Sequence, residues 1–430
     1  MLKQAIDWVA QLGPPRTPFV KSSSANGSPG PGKITQLAVI EDRADAALSR
    51  SQTVILAGAG HVHLYVAAHA AELVARGGRV VLVDPGEFWY SGLATGMLGG
   101  RYESAEDRVD AKALAEAHSA EFIRDRVEAV DTAARRLRLA GGAELTYDYL
   151  SLNVGSQVNA DRIAGAADDP SVWAVKPISN LWKLREHLEA RFRADETPRV
   201  AVVGGGPTGS EVAANMAALA RLHRRKVQVV LLTPADRLIE QAPAGAARRL
   251  HRALIRSGVE IRTHVRVVLR EGKSLIAEDG RHIPADLVVL ATGLEAHPLV
   301  QTTGLPTRPK QGLRITATLH SIADERVFAG GDCAAMEGFD LPKLGVFGVR
   351  QAACLHANLL ASLERKPLAE YRPQKRFLAI LNLGEGTALA TWGPFWWHGR
   401  SSMWLKDFID RRFLENYRRL ASPQSAKPER

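Results

Sequence analysis

The sequence predicts an α/β protein in which two parallel-sheet units are nested in one chain. Three observations carry this. A short apolar strand, a glycine turn and a helical pattern follow one another from Thr53. The same order recurs from Val200. Two further apolar runs, Leu287–Leu290 and Val327–Ala329, each lead into a glycine turn, as additional strands of the same sheets would. A strand–helix–strand crossover joins parallel strands, so each unit requires a parallel sheet.

In the first unit Thr53 to Ala57 is short and apolar, hence a buried strand, and Arg79 to Val83 is the returning strand. Between them Val62, Val66, Ala70 and Leu73 recur on one helical face. The turn is Gly58-Ala59-Gly60-His61-Val62-His63. Gly58 permits the tight turn, and Gly60 lets a pyrophosphate approach the backbone. The helix start then offers free N–H groups and a positive dipole end. Asp84 ends the second strand, where an acid that binds a ribose hydroxyl is expected. His63 replaces the third glycine of the pattern.

The second turn, Gly204-Gly205-Gly206-Pro207-Thr208-Gly209, has all three glycines. Val200 to Val203 precedes it, the helix with Glu211 to Leu222 follows, and Val227 to Leu232 returns. That strand runs into Leu232-Thr233-Pro234 with Arg237 close by and no acid, so NADH and NADPH both stay open. Either turn alone also fits an ordinary strand–helix connection. Two in one chain assign one dinucleotide to each unit.

Composition agrees with a globular enzyme. The chain has 430 residues, 46% apolar and 24% charged, a length that suits about two or three domains. No apolar run reaches the ~18 residues of a membrane span. The N-terminus lacks the basic-then-apolar order of a secretory signal, so a cytoplasmic location is expected. The net charge of +10 comes from basic residues scattered among acids, without a nucleic-acid-binding motif. Cys333 and Cys354 form no CxxC pair, which argues against a disulfide framework and a zinc site, and no metal is expected.

Four motifs together resemble the pyridine nucleotide–disulfide oxidoreductase superfamily over roughly residues 53–420: the two glycine turns, Ala291-Thr292-Gly293, and Gly330-Gly331-Asp332. Tyr147 to Gly155 resembles a further crossing of that superfamily, with Asn153-Val154-Gly155 as a departure. The resemblance implies two nested Rossmann-like dinucleotide-binding domains, glutathione-reductase-like, with a C-terminal α+β extension. It implies FAD together with NADH or NADPH. The expected limits are an extension over residues 1–50, an FAD domain over 51–180 and 298–372, a nicotinamide domain over 181–297, and a C-terminal region over 373–430. Within the extension, residues 1–12 suit an amphipathic helix and 13–33 a disordered linker.

Disulfide reductases of this superfamily carry a cysteine pair just after the first ribose-binding strand. Here Phe88 to Gly96 contains no cysteine, so a dithiol relay from that loop is chemically impossible. What remains resembles type II NADH dehydrogenases and NAD(P)H:quinone reductases, in which the flavin passes electrons directly to a small acceptor. Gly60-His61-Val62-His63, Tyr90-Ser91-Gly92, Val175-Lys176-Pro177-Ile178 and Trp404 to Phe413 resemble a narrower group, flavoproteins found alone or fused ahead of selenophosphate synthase.

Carried onto this chain, the resemblance implies cofactor contacts at Gly58, Gly60, His61, Asp84, Ser91, Gly92, Gly155, Gly331 and Asp332, with Lys343 and Leu344 opening a helix toward the flavin. Gly204, Gly206, Gly209 and Gly293 belong to the nicotinamide side. Lys176 and Glu211 are the candidate catalytic residues, although the cofactor itself carries the chemistry. The first acceptor expected is a quinone. A selenium or sulfur species is the second reading, and a slow dinucleotide or redox sensor the third.

Four of the eight tryptophans lie between Trp392 and Trp404. Leu405, Ile409, Phe413 and Tyr417 then recur every four residues, with Arg411, Arg412, Arg418 and Arg419 off the stripe. This is a basic, aromatic amphipathic helix. Peripheral membrane contact through residues 400–420, packing on the enzyme's own core, and the interface of a homodimer are the three uses open to it.

Overall fold

The computed structural model describes residues 51–422. The helix and linker expected within residues 1–50 lie outside the described residues. The first unit opens with β1 (Gln52–Ala57), α1 (His61–Ala68) and β2 (Gly78–Val83). After α2 (Ser91–Leu98) the chain adds β3 (Glu121–Ile123) and β4 (Tyr149–Leu152). The second unit holds β5 (Val172–Ala174), β6 (Arg199–Val203), α3 (Pro207–Leu222), β7 (Gln228–Leu232), β8 (Val259–Arg262) and β9 (Leu287–Leu290). The chain then returns to the first unit with β10 (Val327–Ala329) and α4 (Gly345–Leu363).

The sheets run in the orders β10-β4-β1-β2-β3 and β5-β9-β6-β7-β8. Every pairing in both is parallel. The central strands are apolar because helices cover both faces; Val54 to Ala57 and Leu287 to Leu290 are all buried. Nesting is visible in β10, which pairs with β4 across the whole inserted second unit. One expected limit differs. Val172–Ala174 was placed before the boundary at 180, yet it pairs with β9. The second sheet therefore begins earlier, because Val172 and Ala174 need a partner edge that β9 provides.

The C-terminal region forms an antiparallel sheet of β11 (Leu378–Asn382), β12 (Ala388–Trp392) and β13 (Phe395–Gly399), followed by α5 (Arg400–Leu420). The stripe of α5 turns inward. Leu405 and Ile409 pack against Leu378, Ile380 and Trp397 of the sheet. Phe413, Leu414 and Tyr417 join the main core. Trp404 (65% exposed) and Phe408 (40%) stay outside, stacked with ring centroids 5.8 Å apart. The helix thus closes the molecule rather than hanging from it.

Leu414→Ala tests that role. Truncating a side chain only 1% exposed should cost about 2–5 kcal/mol, measured as a lower urea midpoint with an unchanged slope.

Candidate active site

The two glycine loops are built differently around the same pair of positions. In the second, a Cβ on Gly209 would sit 1.9 Å from the Gly204 carbonyl oxygen, so only glycine lets α3 start this close. Gly204 takes φ +127° against the Ala291 carbonyl. Gly206 caps α3 without a side-chain bond, with Pro207 at its first position, leaving first-turn amides free to receive a phosphate. In the first loop His63 replaces the third glycine. Its ring reaches back, with Nδ1 2.6 Å from the Gly58 carbonyl oxygen and Nε2 2.7 Å from Ser151 Oγ. Burial holds it neutral, its pKa pushed down to about 4 against the bond to the Gly58 carbonyl.

The start of α1 also differs from expectation. Its amides were expected free, but Val62 N and His63 N both donate to Asn153 Oδ1, at 3.0 and 3.3 Å. Asn153 Nδ2 donates onward to the Gly330 carbonyl, 2.7 Å. The departing triplet thus ties both glycine motifs of the first unit together. Gly60 faces this amide closely, since a Cβ there would lie 2.3 Å from Asn153 Oδ1. Asp84 stands at the end of β2 as expected, but its carboxylate accepts from Ala59 N (2.7 Å) and Gly86 N (2.8 Å). Burial raises its pKa despite both bonds. A ribose hydroxyl would have to share that carboxylate with the loop.

Across the sheet, Gly331 takes φ +69°, and its N–H donates to Gln351 Oε1 at 2.7 Å. Asp332 follows, half-buried. Ser156 Oγ donates to its Oδ2 at 2.7 Å and Lys176 Nζ at 3.1 Å. Burial opposes its charge, but Lys176 and these hydrogen bonds outweigh it and lower the pKa. Gly155 supplies φ +75° beside Ser156. Lys343 Nζ donates to the Gln311 carbonyl at 2.7 Å and to the Asp332 carbonyl. Leu344 is the N-cap of α4, again with no side-chain cap. Gly293 lies in open space on the far crossing.

Between these parts is a cavity of about 180 Å³. His61, Tyr90, Ser91, Gly345, Val349 and Phe413 line it, with Ile380, Lys406, Ile409 and Asp410 from the C-terminal region. The His61 ring packs edge-on to Phe88 at 5.0 Å, and burial followed by Lys176 pushes its pKa down to about 4. Tyr90 stacks on Phe413 at 4.7 Å. Its hydroxyl donates to Asp410 Oδ1 at 2.9 Å. Lys406 Nζ donates to Asp410 Oδ2 (3.0 Å) and to the Gly92 carbonyl (2.7 Å). Gly92 must be glycine, because a Cβ would fall 2.3 Å from the Tyr90 ring.

Glu211, half-buried, stands at the junction of all three regions. Its Oε1 accepts from Asn382 N at 2.7 Å and from Thr95 Oγ1 at 3.3 Å. Burial raises its pKa, against the pull of Lys406. Burial first opposes the charge of Lys406, but Asp410 and Glu211 outweigh it and raise the pKa. Glu211 and the loop Tyr90-Ser91-Gly92 therefore meet through Lys406, whereas Lys176 stands with Asp332. Sequence reasoning missed Asn153 as a bridge, Lys406 and Asp410. A signal for two of them existed: Lys406 and Asp410 are one helical turn apart, beside Leu405 and Ile409 on the buried stripe. Both cysteines lie off this cavity's lining, and burial pushes each thiol up to about 11.

A model of the pyridine nucleotide-disulphide oxidoreductases matches residues 52–353. The chain belongs to that family. Its cofactors are FAD and NAD(P)H. This oxidoreductase is 26% identical over 279 residues to a type II NADH:quinone oxidoreductase of Haemophilus influenzae, covering 57% of this chain and 63% of that protein. It is 29% identical over 249 residues to the ferredoxin–NAD(+) reductase component of the biphenyl dioxygenase system of Paraburkholderia xenovorans, covering 56% and 57%. The matches thus span about three fifths of these relatives' own length. Its fold is shared with the sulfide:quinone oxidoreductase of Aquifex aeolicus (TM-score 0.71, 16% identity, 86% and 92% covered). It is shared as well with NDH2 from Plasmodium falciparum in complex with NADH (TM-score 0.69, 15% identity, 86% and 98% covered).

The donor set fits both cofactors. Asp84, the carboxylate of Asp332 and the uncapped start of α4 suit the hydroxyls, ribityl chain and ring edge of FAD. The uncapped start of α3 suits a nicotinamide pyrophosphate. Gly209→Ala should therefore damage one site selectively. The expected result is a loss of about 1–3 kcal/mol in stability and weakened NAD(P)H binding with FAD retained, followed by denaturation and nucleotide titration.

Proposed function

We propose that this enzyme oxidises NAD(P)H and passes the electrons through FAD to a quinone. The observation that carries this reading is the cavity beside Tyr90 and Phe413. Its walls are largely apolar, it contains no thiol, and its polar groups are confined to His61, Tyr90, Ser91, Lys406 and Asp410. Such a site suits flat, weakly polar rings with oxygens at the edge: the flavin ring would lie by Ser91, Gly92 and the start of α4, with the acceptor against it. When bound, FAD supplies the hydride and electron chemistry.

The chain's own groups would orient and exclude. The N–H groups at the start of α3 hold the nicotinamide pyrophosphate, and Asp332, fixed by Lys176 and Ser156, holds the flavin side chain. Glu211 ties α3 to β11 through Asn382, joining the nucleotide-binding helix to the strand that brings Leu378 and Ile380 to the cavity wall. Lys406 places a positive charge where negative charge develops on the acceptor. Relatives named as quinone oxidoreductases, among them the demethylphylloquinone reductase of Synechocystis, support the quinone.

The purified protein should be yellow, and anaerobic NADH or NADPH should bleach it. Menadione should then restore the colour. A colourless protein, or bleaching that ferricyanide reverses and menadione does not, would remove the quinone.

We further propose that the enzyme touches a membrane surface through Trp404 and Phe408, the aromatic residues of α5 left exposed. No helix among the described residues is long and apolar enough to cross a bilayer. Exposed aromatics beside cationic side chains suit an interfacial contact. Trp404→Ser with Phe408→Ser should reduce flotation with anionic vesicles by about threefold or more, since each aromatic adds area that inserts at the interface. Equal flotation of the double variant and the parent would refute the contact. Substitution is the right tool, because removing α5 would also remove Leu405, Ile409 and Phe413 from the core.

A further inference from the structure

The two nucleotide units share one hydrogen-bond pattern where their returning strands end. In the first, Gly58 N donates to the Val83 carbonyl at 2.8 Å, and Asp84 N to the Ile123 carbonyl of β3 at 3.1 Å. In the second, Gly204 N donates to the Leu232 carbonyl at 2.8 Å, and Thr233 N to the Arg262 carbonyl of β8 at 3.1 Å. Asp84 and Thr233 therefore hold equivalent positions, each the first residue past its strand. Both face the glycine turn. The Asp84 carboxylate accepts from Ala59 N, and a Cβ on Gly205 would stand 2.7 Å from Thr233 Oγ1. In a dinucleotide fold this is where the adenosine ribose arrives: an acid binds its 2′-hydroxyl, and a cation nearby accommodates a 2′-phosphate.

The second unit has a hydroxyl and a cation there. Thr233 is buried. Its Oγ1 accepts from Ala235 N at 3.3 Å, and among the described residues no acceptor takes its own proton. Arg262 ends β8 directly opposite Leu232, so its side chain starts about 4.8 Å from β7, one strand spacing away. Glu260 accepts from its Nε at 2.7 Å. Its Nη groups have no hydrogen-bond partner among the described residues. Arg237 adds a second cation but turns back on its own loop, with Nη2 donating to the Glu240 and Ala242 carbonyls. The acid of this loop, Asp236, has a side chain 87% exposed and faces His264 at 3.5 Å.

We infer that the second unit is built for NADPH in preference to NADH, with Thr233 and Arg262 making the choice. The inference rests on the NAD(P)H half of the reading above and is independent of the quinone. A carboxylate in the place of Thr233 would repel the strongly anionic 2′-phosphate, whereas a hydroxyl donates to it and a guanidinium pairs with it. NADH still fits, because Thr233 Oγ1 accepts from a ribose hydroxyl as well. The hydride leaves the other end of the coenzyme, so the choice acts on KM more than on kcat.

The test uses the full FAD-loaded chain with ferricyanide as acceptor, so that quinone chemistry does not enter. NADPH should give the higher kcat/KM in wild type. Thr233→Asp copies the first unit and should lower the NADPH-to-NADH ratio of kcat/KM at least about tenfold, through the KM for NADPH. Arg262→Gln changes a side chain that is 38% exposed, where the fold is insensitive. It should lower the same ratio at least about threefold. Independently of turnover, calorimetry should find adenosine 2′,5′-bisphosphate bound more tightly than adenosine 5′-monophosphate by wild type, with the difference reduced in both variants. A wild type that favours NADH, or a ratio that neither variant lowers, overturns the inference. A yellow protein that neither nucleotide bleaches overturns the NAD(P)H reading instead.

Discussion

Each sheet is closed by one short contact between backbones. Gly58 lies against the carbonyl of Asn153, and Gly204 against that of Ala291, so close that a Cβ would stand 2.8 and 2.3 Å from those oxygens. In both units the loop that leaves one strand touches the exit of the next strand over. The helix that follows is aimed by that contact, and with it the position of every group that meets a phosphate. The two units then diverge. The second keeps glycine at its third position and an open helix start. The first fills the same position with His63 and ties its helix start to Asn153.

The active cavity is a product of three regions rather than of either nucleotide unit. α1 gives His61, the loop before α2 gives Tyr90, α4 gives its uncapped start, and α5 gives Lys406, Asp410 and Phe413. Charges buried here balance across the chain. Lys406 stands among Asp410, Glu211 and the carbonyl of Gly92, so one cation holds two acids that would otherwise repel each other. A buried ion pair of this kind is weak evidence for stability. Its value here lies in fixing α5 in one register against the loop at Gly92.

Most of the fold was legible because it follows from local pattern. Apolar runs, glycine spacing and helical periodicity placed both sheets, and the terminal stripe at Leu405, Ile409, Phe413 and Tyr417 marked a helix. Periodicity says that such a stripe is covered, not by what, and the structure supplies the enzyme's own core. The same limit applies to the site. Asp84 follows β2 and Asp332 follows the Gly330-Gly331 turn after β10, while the partners that fix Asp332, Lys176 and Glu211 come from far along the chain. Asn153 bridges Val62 and Gly330, and Asp410 meets Tyr90, through contacts that no short window contains.

The lateness of α5 in the chain has a consequence for biosynthesis. Domains fold as units in the order in which they are made. Both parallel sheets are complete once α4 has emerged, and the strands of the C-terminal sheet come later still. Until α5 arrives, the cavity that Tyr90, Val346 and Val349 line lacks the wall of Lys406, Ile409, Asp410 and Phe413. The nucleotide-binding units can therefore fold before the cavity wall that α5 supplies exists, so the cavity is completed by a later step of synthesis than either sheet.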